Sequence, residues 1–190
     1  MGWPVVVRSD SPRATKEVAA RLAQLCASGD VVLLIGDLGA GKTAFAQGFA
    51  AALGVEGAVT SPTFALVRQY RCGEAAQVET LIHADVYRTG SIGEVVELGL
   101  AELVEERAIA LVEWGDMAAP ALGDDTLEVT LALSDEEVAG PADVAEPADV
   151  AEMAEPADVR TISIRGRGRW SGRTDEVARA VASTASRAAP

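Results

Sequence analysis

The sequence predicts an α/β fold, one domain around a mixed central sheet, and three observations carry that expectation. The apolar run 31–35 leads directly into Gly36-Asp-Leu-Gly-Ala-Gly-Lys-Thr43, and a helix-like stretch follows, which is a strand–glycine loop–helix unit. Residues 64–70 and 78–82 are strand-like runs across a short turn containing Gly73, the pattern of an antiparallel hairpin where a crossover helix would be the default. With 190 residues, 49% hydrophobic and 24% charged, the chain has enough apolar surface for one good core.

Taken in order, residues 5–7 form a short strand candidate. Ser11-Pro12 reads as an N-cap followed by proline in the first helical position. A helix should run from there to about residue 28, with Val18, Leu22 and Leu25 or Cys26 at helical spacing and Gly29 where a left-handed stop is wanted. The alanines and phenylalanines of 42–53 favour helix, and Gly54 ends it. Ser91-Ile-Gly-Glu94 spells a capping box, opening a helix that lasts until Gly99, and a second short helix is expected over 100–106. Residues 108–112 read as a buried strand ending in Glu113-Trp114. Residues 126–133 should pair with 160–164, and a final helix should cover 174–187.

Residues 134–159 stand apart. They hold nine acids and no base, and they repeat Pro-Ala-Asp-Val-Ala-Glu from Pro141 and again from Pro147. The domain plan is therefore a core over 1–133, a solvated acidic low-complexity insertion over 134–159, and a strand and helix over 160–190 that complete the domain. The insertion accounts for most of the net charge of −13. The remainder is mildly acidic and has no basic stripe, which argues against tight independent binding of nucleic acid. Two cysteines, Cys26 and Cys72, with no Cys-x-x-Cys and no histidine cluster, suggest neither a disulfide framework nor a zinc site. No basic leader and no run of eighteen apolar residues occur, so the expectation is a cytoplasmic protein with no membrane partner.

The loop's spelling is that of a P-loop NTPase-like domain. Gly36, Gly39 and Gly41 let the backbone curl so that N–H groups converge on phosphate oxygens. Lys42 reaches the outer phosphates as a point charge, and Thr43 offers a hydroxyl to Mg²⁺. A second acid for the metal shell is expected at the end of an apolar strand, which points to Glu113 for the metal and Asp85 for the neighbouring water or metal shell. Thr60-Ser61-Pro62-Thr63 sets three hydroxyls around a proline; it reads either as a sensor of the terminal phosphate or as an ordinary turn. His83, the lone histidine, reads as a satisfied core or hairpin residue rather than a base, and Arg88 as an offset to phosphate charge or a surface ion pair. No Asn-Lys-x-Asp segment marks a guanine site, so adenine is expected. The arginines that a small-molecule kinase would need in a lid occur only late, at Arg165, Arg167, Arg169 and Arg173.

Four separated spellings coincide: the glycine loop to Thr43, Ser61-Pro-Thr-Phe-Ala-Leu-Val67 running to Tyr70, His83-Ala-Asp-Val-Tyr-Arg88, and Val112-Glu-Trp114. Over about residues 10–133 this combination resembles the TsaE family, bacterial ATPases of threonylcarbamoyladenosine formation on tRNA. The resemblance implies ATP and Mg²⁺ as ligands, and an accessory role with TsaB and TsaD that reaches tRNA only through that complex. It implies that Gly39, Ala40, Gly41, Lys42 and Thr43 hold the phosphates and that Thr43 and Glu113 hold Mg²⁺. It further implies that Ser61 and Thr63 belong to a nucleotide-responsive switch, that Lys42, Asp85 and Glu113 are catalytic, and that Thr15 and Trp114 lie near the nucleotide. Two other readings compete: a phosphotransferase acting on a small metabolite with Asp85 as base, and a nucleotide-responsive binding module without turnover.

Overall fold

A computed structural model describes residues 4–105, 107–134 and 159–185. The acidic insertion lies outside the described residues except for its ends, where the Ser134 N–H donates to the Val159 carbonyl at 2.8 Å, so these two residues continue the sheet rather than the solvated segment; residues 106 and 186–187 of the expected helices also lie outside. The elements are β1 (Val5–Ser9), α1 (Pro12–Ala23), β2 (Val31–Ile35), α2 (Lys42–Ala52), β3 (Val67–Arg71), β4 (Thr80–Asp85), α3 (Ile92–Glu97), α4 (Leu100–Glu105), β5 (Ala108–Glu113), α5 (Gly115–Leu122), β6 (Thr126–Leu133), β7 (Arg160–Gly166) and α6 (Thr174–Ala185).

Among the described residues, seven strands form one mixed sheet in the order β1-β7-β6-β2-β5-β4-β3. The four inner strands β6, β2, β5 and β4 are parallel, so their carboxyl ends share one edge. β3 and β7 run antiparallel to their inner neighbours, and β1 pairs antiparallel with β7. Buried on both faces, β2 and β5 read as near-continuous apolar runs, as parallel strands under two helical layers must.

Period-two alternation divides the sheet's side chains between two cores. Val32, Leu34, Leu81, Ile109, Leu111, Val129 and Ile162 face the layer made by α1, α2 and α6. Val31, Leu33, Ile82, Ala84, Ala110 and Val112 face α3, α4 and α5. α1 and α2 pack closely because Gly48 has no side chain: a Cβ there would stand 2.5 Å from the Lys16 Cα. The residues after the insertion belong to the same core, through Ile162, Ile164, Trp170, Val177 and Val181. The indole N–H of Trp170 donates to Asp30 Oδ1 at 2.9 Å, tying the C-terminal part to the loop before β2.

Several boundaries differ from the sequence expectation. α1 stops at Ala23 rather than near residue 28, where the Ala27 N–H donates to Asp30 Oδ2 at 2.6 Å and draws the chain off the helix axis. The hairpin is shifted toward the C-terminus: residues 64–66 form a turn with Leu66 at φ 62°, and pairing starts at Val67. The helix α5 was not foreseen, because Gly115 and the internal Pro120 both argue against helix. The pairing of β1 with β7 was not foreseen either. Among the described residues, no helix is long and apolar enough to cross a membrane.

Candidate functional site

The site is built where the carboxyl ends of β2, β5 and β4 lie side by side. Leu34 of β2 is in register with Glu113 of β5, which is in register with Asp85 of β4, so the Gly36–Thr43 turn leaves the sheet beside both acids. Along the face toward α1 and α2, β4 presents Leu81, His83 and Asp85, and β5 presents Ile109, Leu111 and Glu113. The apolar columns thus end in polar groups at one edge. All are withdrawn from solvent: His83 is 0% exposed, Asp85 and Glu113 3% each, and Lys42 5%.

The loop takes its shape from glycine. Gly36, Gly39 and Gly41 have φ of 144°, 83° and 106°, which side-chain-bearing residues rarely adopt. Gly41 also occupies the N-cap of α2, where glycine has no side chain to cap the first-turn N–H groups. α1 and α3 differ: Ser11 Oγ accepts from the Ala14 N–H at 3.2 Å, and Ser91 Oγ from the Glu94 N–H at 3.3 Å. The start of α2 therefore presents donors and the positive end of the helix dipole together.

Lys42 Nζ donates to the carbonyls of Gly36 at 2.6 Å and Asp37 at 2.8 Å and lies 4.0 Å from the centre of the Trp114 ring. Burial lowers its pKa below the ordinary lysine value, and the negative charges of Glu113, Asp85, Asp37 and Asp116 partly offset that. Trp114 holds its place with φ 61°, a left-handed conformation that costs an aromatic residue on the order of 1–3 kcal/mol. Its ring centroid is 4.6 Å from that of Tyr87. Asp85 Oδ2 accepts from Ser61 Oγ at 2.7 Å and Thr63 Oγ1 at 2.8 Å, while Oδ1 accepts from the Tyr87 N–H at 3.0 Å. Glu113 Oε1 is 3.0 Å from His83 Nε2.

The structure thus gathers Lys42, Ser61, Thr63, Asp85, Glu113 and Trp114 at one edge beside Gly39, Ala40, Gly41 and Thr43. The buried hydroxyl of Thr15 lies 2.8 Å from Ser9 Oγ and donates to the Ser11 carbonyl at 3.3 Å, anchoring the start of α1. His83 is a core residue but only half satisfied: Nε2 meets Glu113, thirty positions away and without local signal, while Nδ1 has no hydrogen-bond partner among the described residues. Arg88 lies over the ring of Phe64 at 4.6 Å. Sequence reasoning missed Arg160, whose Nε donates to the Ala40 carbonyl at 3.0 Å from the far side of the insertion. Two open hollows of about 580 and 520 Å³ lie at the opposite end of the strands, around Cys72 and Gly73, away from these groups.

A mixed seven-stranded sheet carrying a glycine loop, a buried lysine and two acids on three neighbouring strand ends defines a single-domain α/β protein with an anion-suited sheet edge. Comparison with known proteins narrows the class. Residues 9–139 match the family model described as threonylcarbamoyl adenosine biosynthesis protein TsaE. The chain is 40% identical over 124 residues to the tRNA threonylcarbamoyladenosine biosynthesis protein TsaE of Bacillus subtilis, covering 65% of this chain and 75% of that one. To the protein of the same description in Streptomyces coelicolor it is 35% identical over 158 residues, covering 82% and 93%. The fold is similar to the crystal structure of Bacillus subtilis YdiB, with a TM-score of 0.69 at 28% identity over 94% of this chain and 97% of that one. The chain belongs to the TsaE family of tRNA threonylcarbamoyladenosine biosynthesis.

Proposed function

We propose that this P-loop NTPase-like domain binds ATP with Mg²⁺ at the Gly36–Thr43 loop and hydrolyses it as an accessory subunit. It acts on a TsaB–TsaD complex, so that the chemistry on tRNA happens on other chains in the cytoplasm. One observation supports this most: a buried cation, Lys42, and two buried acids, Asp85 and Glu113, converge on a helix start whose N-cap is glycine, with no side chain of its own to cap it. Buried charges are costly, and they gather where a ligand or reaction needs them.

In this reading the amides of Gly39, Ala40 and Gly41 and the first turn of α2 cradle the phosphates. Lys42 exchanges the Gly36 and Asp37 carbonyls for phosphate oxygens. The Thr43 hydroxyl and the Glu113 carboxylate hold the metal. One hydroxyl and one buried carboxylate form a sparse, hard oxygen set that fits Mg²⁺, which keeps much of its water shell. When bound, Mg²⁺ offsets charge on the phosphate oxygens. His83 holds Glu113 in place. Asp85 orients the attacking water, and its bonds from Ser61 and Thr63 make the 60–63 segment responsive to events at the phosphates. Trp114, braced by Tyr87, walls the lysine on one side, while Thr15 acts near the nucleotide by anchoring the start of α1.

The deciding assay incubates the purified protein with radiolabelled ATP, alone and with TsaB and TsaD. Phosphate released chiefly in the presence of the partners is the expected result. A labelled small molecule would instead identify a phosphotransferase, and binding without turnover would identify a nucleotide-responsive module.

A further inference from the structure

The geometry points to Arg160 as a positioning residue that moulds the glycine loop from behind; the inference rests on the ATP-binding reading above. Arg160 opens β7, in register with Leu133 of β6 and Ser9 of β1, and is 7% exposed. It lies beyond the 9–139 span matched by the family model. The β6–β7 pair forms the loop's back wall. The Leu131 carbonyl of β6 occupies the space a Cβ on Gly36 would need, and Arg160 Nε and Cδ would stand 3.1 and 3.3 Å from a Cβ on Gly41. The wall is closed beside Arg160 by the Ser134 N–H, which donates to the Val159 carbonyl at 2.8 Å.

The hydrogen bond from Arg160 Nε to the Ala40 carbonyl fixes one peptide plane. In a trans peptide the carbonyl and the following N–H point in opposite directions. Holding the Ala40 carbonyl against β7 therefore turns the Gly41 N–H to the other side, toward the concave face where a phosphate would lie. Gly41 resists no rotation by itself, because its φ of 106° belongs to a residue with the widest conformational freedom. A charged donor on the carbonyl supplies the restraint that the glycine lacks, and charge-assisted bonds are the stronger class.

The donor and the charge can be separated by substitution. Gln places an amide nitrogen at the chain position of Arg Nε, so Arg160→Gln keeps a donor and loses the charge. Arg160→Met fills the same length without a donor, and Arg160→Lys keeps the charge but has carbon at that position. With Mg-ATP as probe in titration calorimetry on the full chain, Arg160→Met and Arg160→Lys should bind about tenfold more weakly than wild type, the scale of one lost charge-assisted bond. Arg160→Gln should stay within about threefold. Hydrogen exchange at the Gly41 amide in the free protein should quicken in the Met and Lys variants but not in Gln. If the Met variant does not fold, the Lys variant carries the same expectation.

Wild-type affinity and unchanged Gly41 exchange in either variant would overturn the inference. So would equal losses in Gln, Lys and Met that merely follow a shared fall in melting temperature. A wild-type protein that itself fails to bind Mg-ATP refutes the ATP-binding reading instead, so the two failures are distinguishable.

Discussion

Asp85 and Glu113 are register partners at the ends of adjacent parallel strands, yet each is committed to a different neighbour. Asp85 accepts from Ser61 and Thr63, and Glu113 lies 3.0 Å from His83. Two buried carboxylates on one edge are thus held in separate hydrogen-bonding environments, and their substitution should have separable consequences.

Asp85→Asn keeps an acceptor for the two hydroxyls and removes the charge. If Asp85 orients the attacking water, hydrolysis with TsaB and TsaD supplied should fall by about a hundredfold or more while Mg-ATP affinity stays within about threefold. Steady-state phosphate release beside calorimetric binding makes the check. An equal loss in both would assign Asp85 to binding.

His83→Leu strands the Glu113 carboxylate in the core. Breaking one side of a buried pair should destabilise the fold by about 3 kcal/mol, read from urea unfolding. Replacing both members by Leu should recover part of that loss, since an apolar pair leaves no uncompensated charge. A double variant that loses the sum of the two single effects would show that the pair is not coupled.

Gly48→Ala sets two effects against each other. Alanine gains about 1 kcal/mol of helix propensity over glycine. The added Cβ, however, meets the backbone of Lys16, including its Cα at 2.5 Å, and backbone cannot rotate away as a side-chain tip can. Overpacking of this kind costs about 1–3 kcal/mol, so the variant should be less stable than wild type. A urea midpoint at or above that of wild type would show that α1 and α2 separate at little cost.

Burial lowers the Lys42 pKa in the free protein, and a bound triphosphate supplies negative charge that favours the ammonium. The folded, free lysine should therefore titrate below the ordinary lysine range, and Mg-ATP should move it upward. The sign for binding follows: nucleotide prefers the protonated form, so affinity should fall as pH rises through the free-state value. Carbon-13 shifts of the Lys42 side chain, with and without Mg-ATP, provide the measurement, and a titration that nucleotide does not move would contradict it.

What could be read from the sequence was local. The glycine loop, the Ser11 and Ser91 caps and the strand Val31–Ile35 each declare themselves within a few residues, because turn geometry and capping act over that range. The strand-end acids were legible because an apolar run that stops at Asp or Glu exposes the break. Long-range pairings were not: β1 with β7, His83 with Glu113, and Arg160 with Ala40 join segments 30 to more than 100 residues apart. α5 was hidden by its own Pro120, and the turn at Leu66 by strand-like neighbours whose pairing begins one residue later.

The most direct measurement is a calorimetric titration of Mg-ATP into the full chain and into its Lys42→Ala variant, with native folding of each verified by circular dichroism and the partner proteins supplied in parallel. The wild type should show saturable binding at a single site, and the variant none over the same concentrations, with no drop in melting temperature. A natively folded wild type that takes up no Mg-ATP even with its partners, or a variant that binds it equally well, would contradict the account.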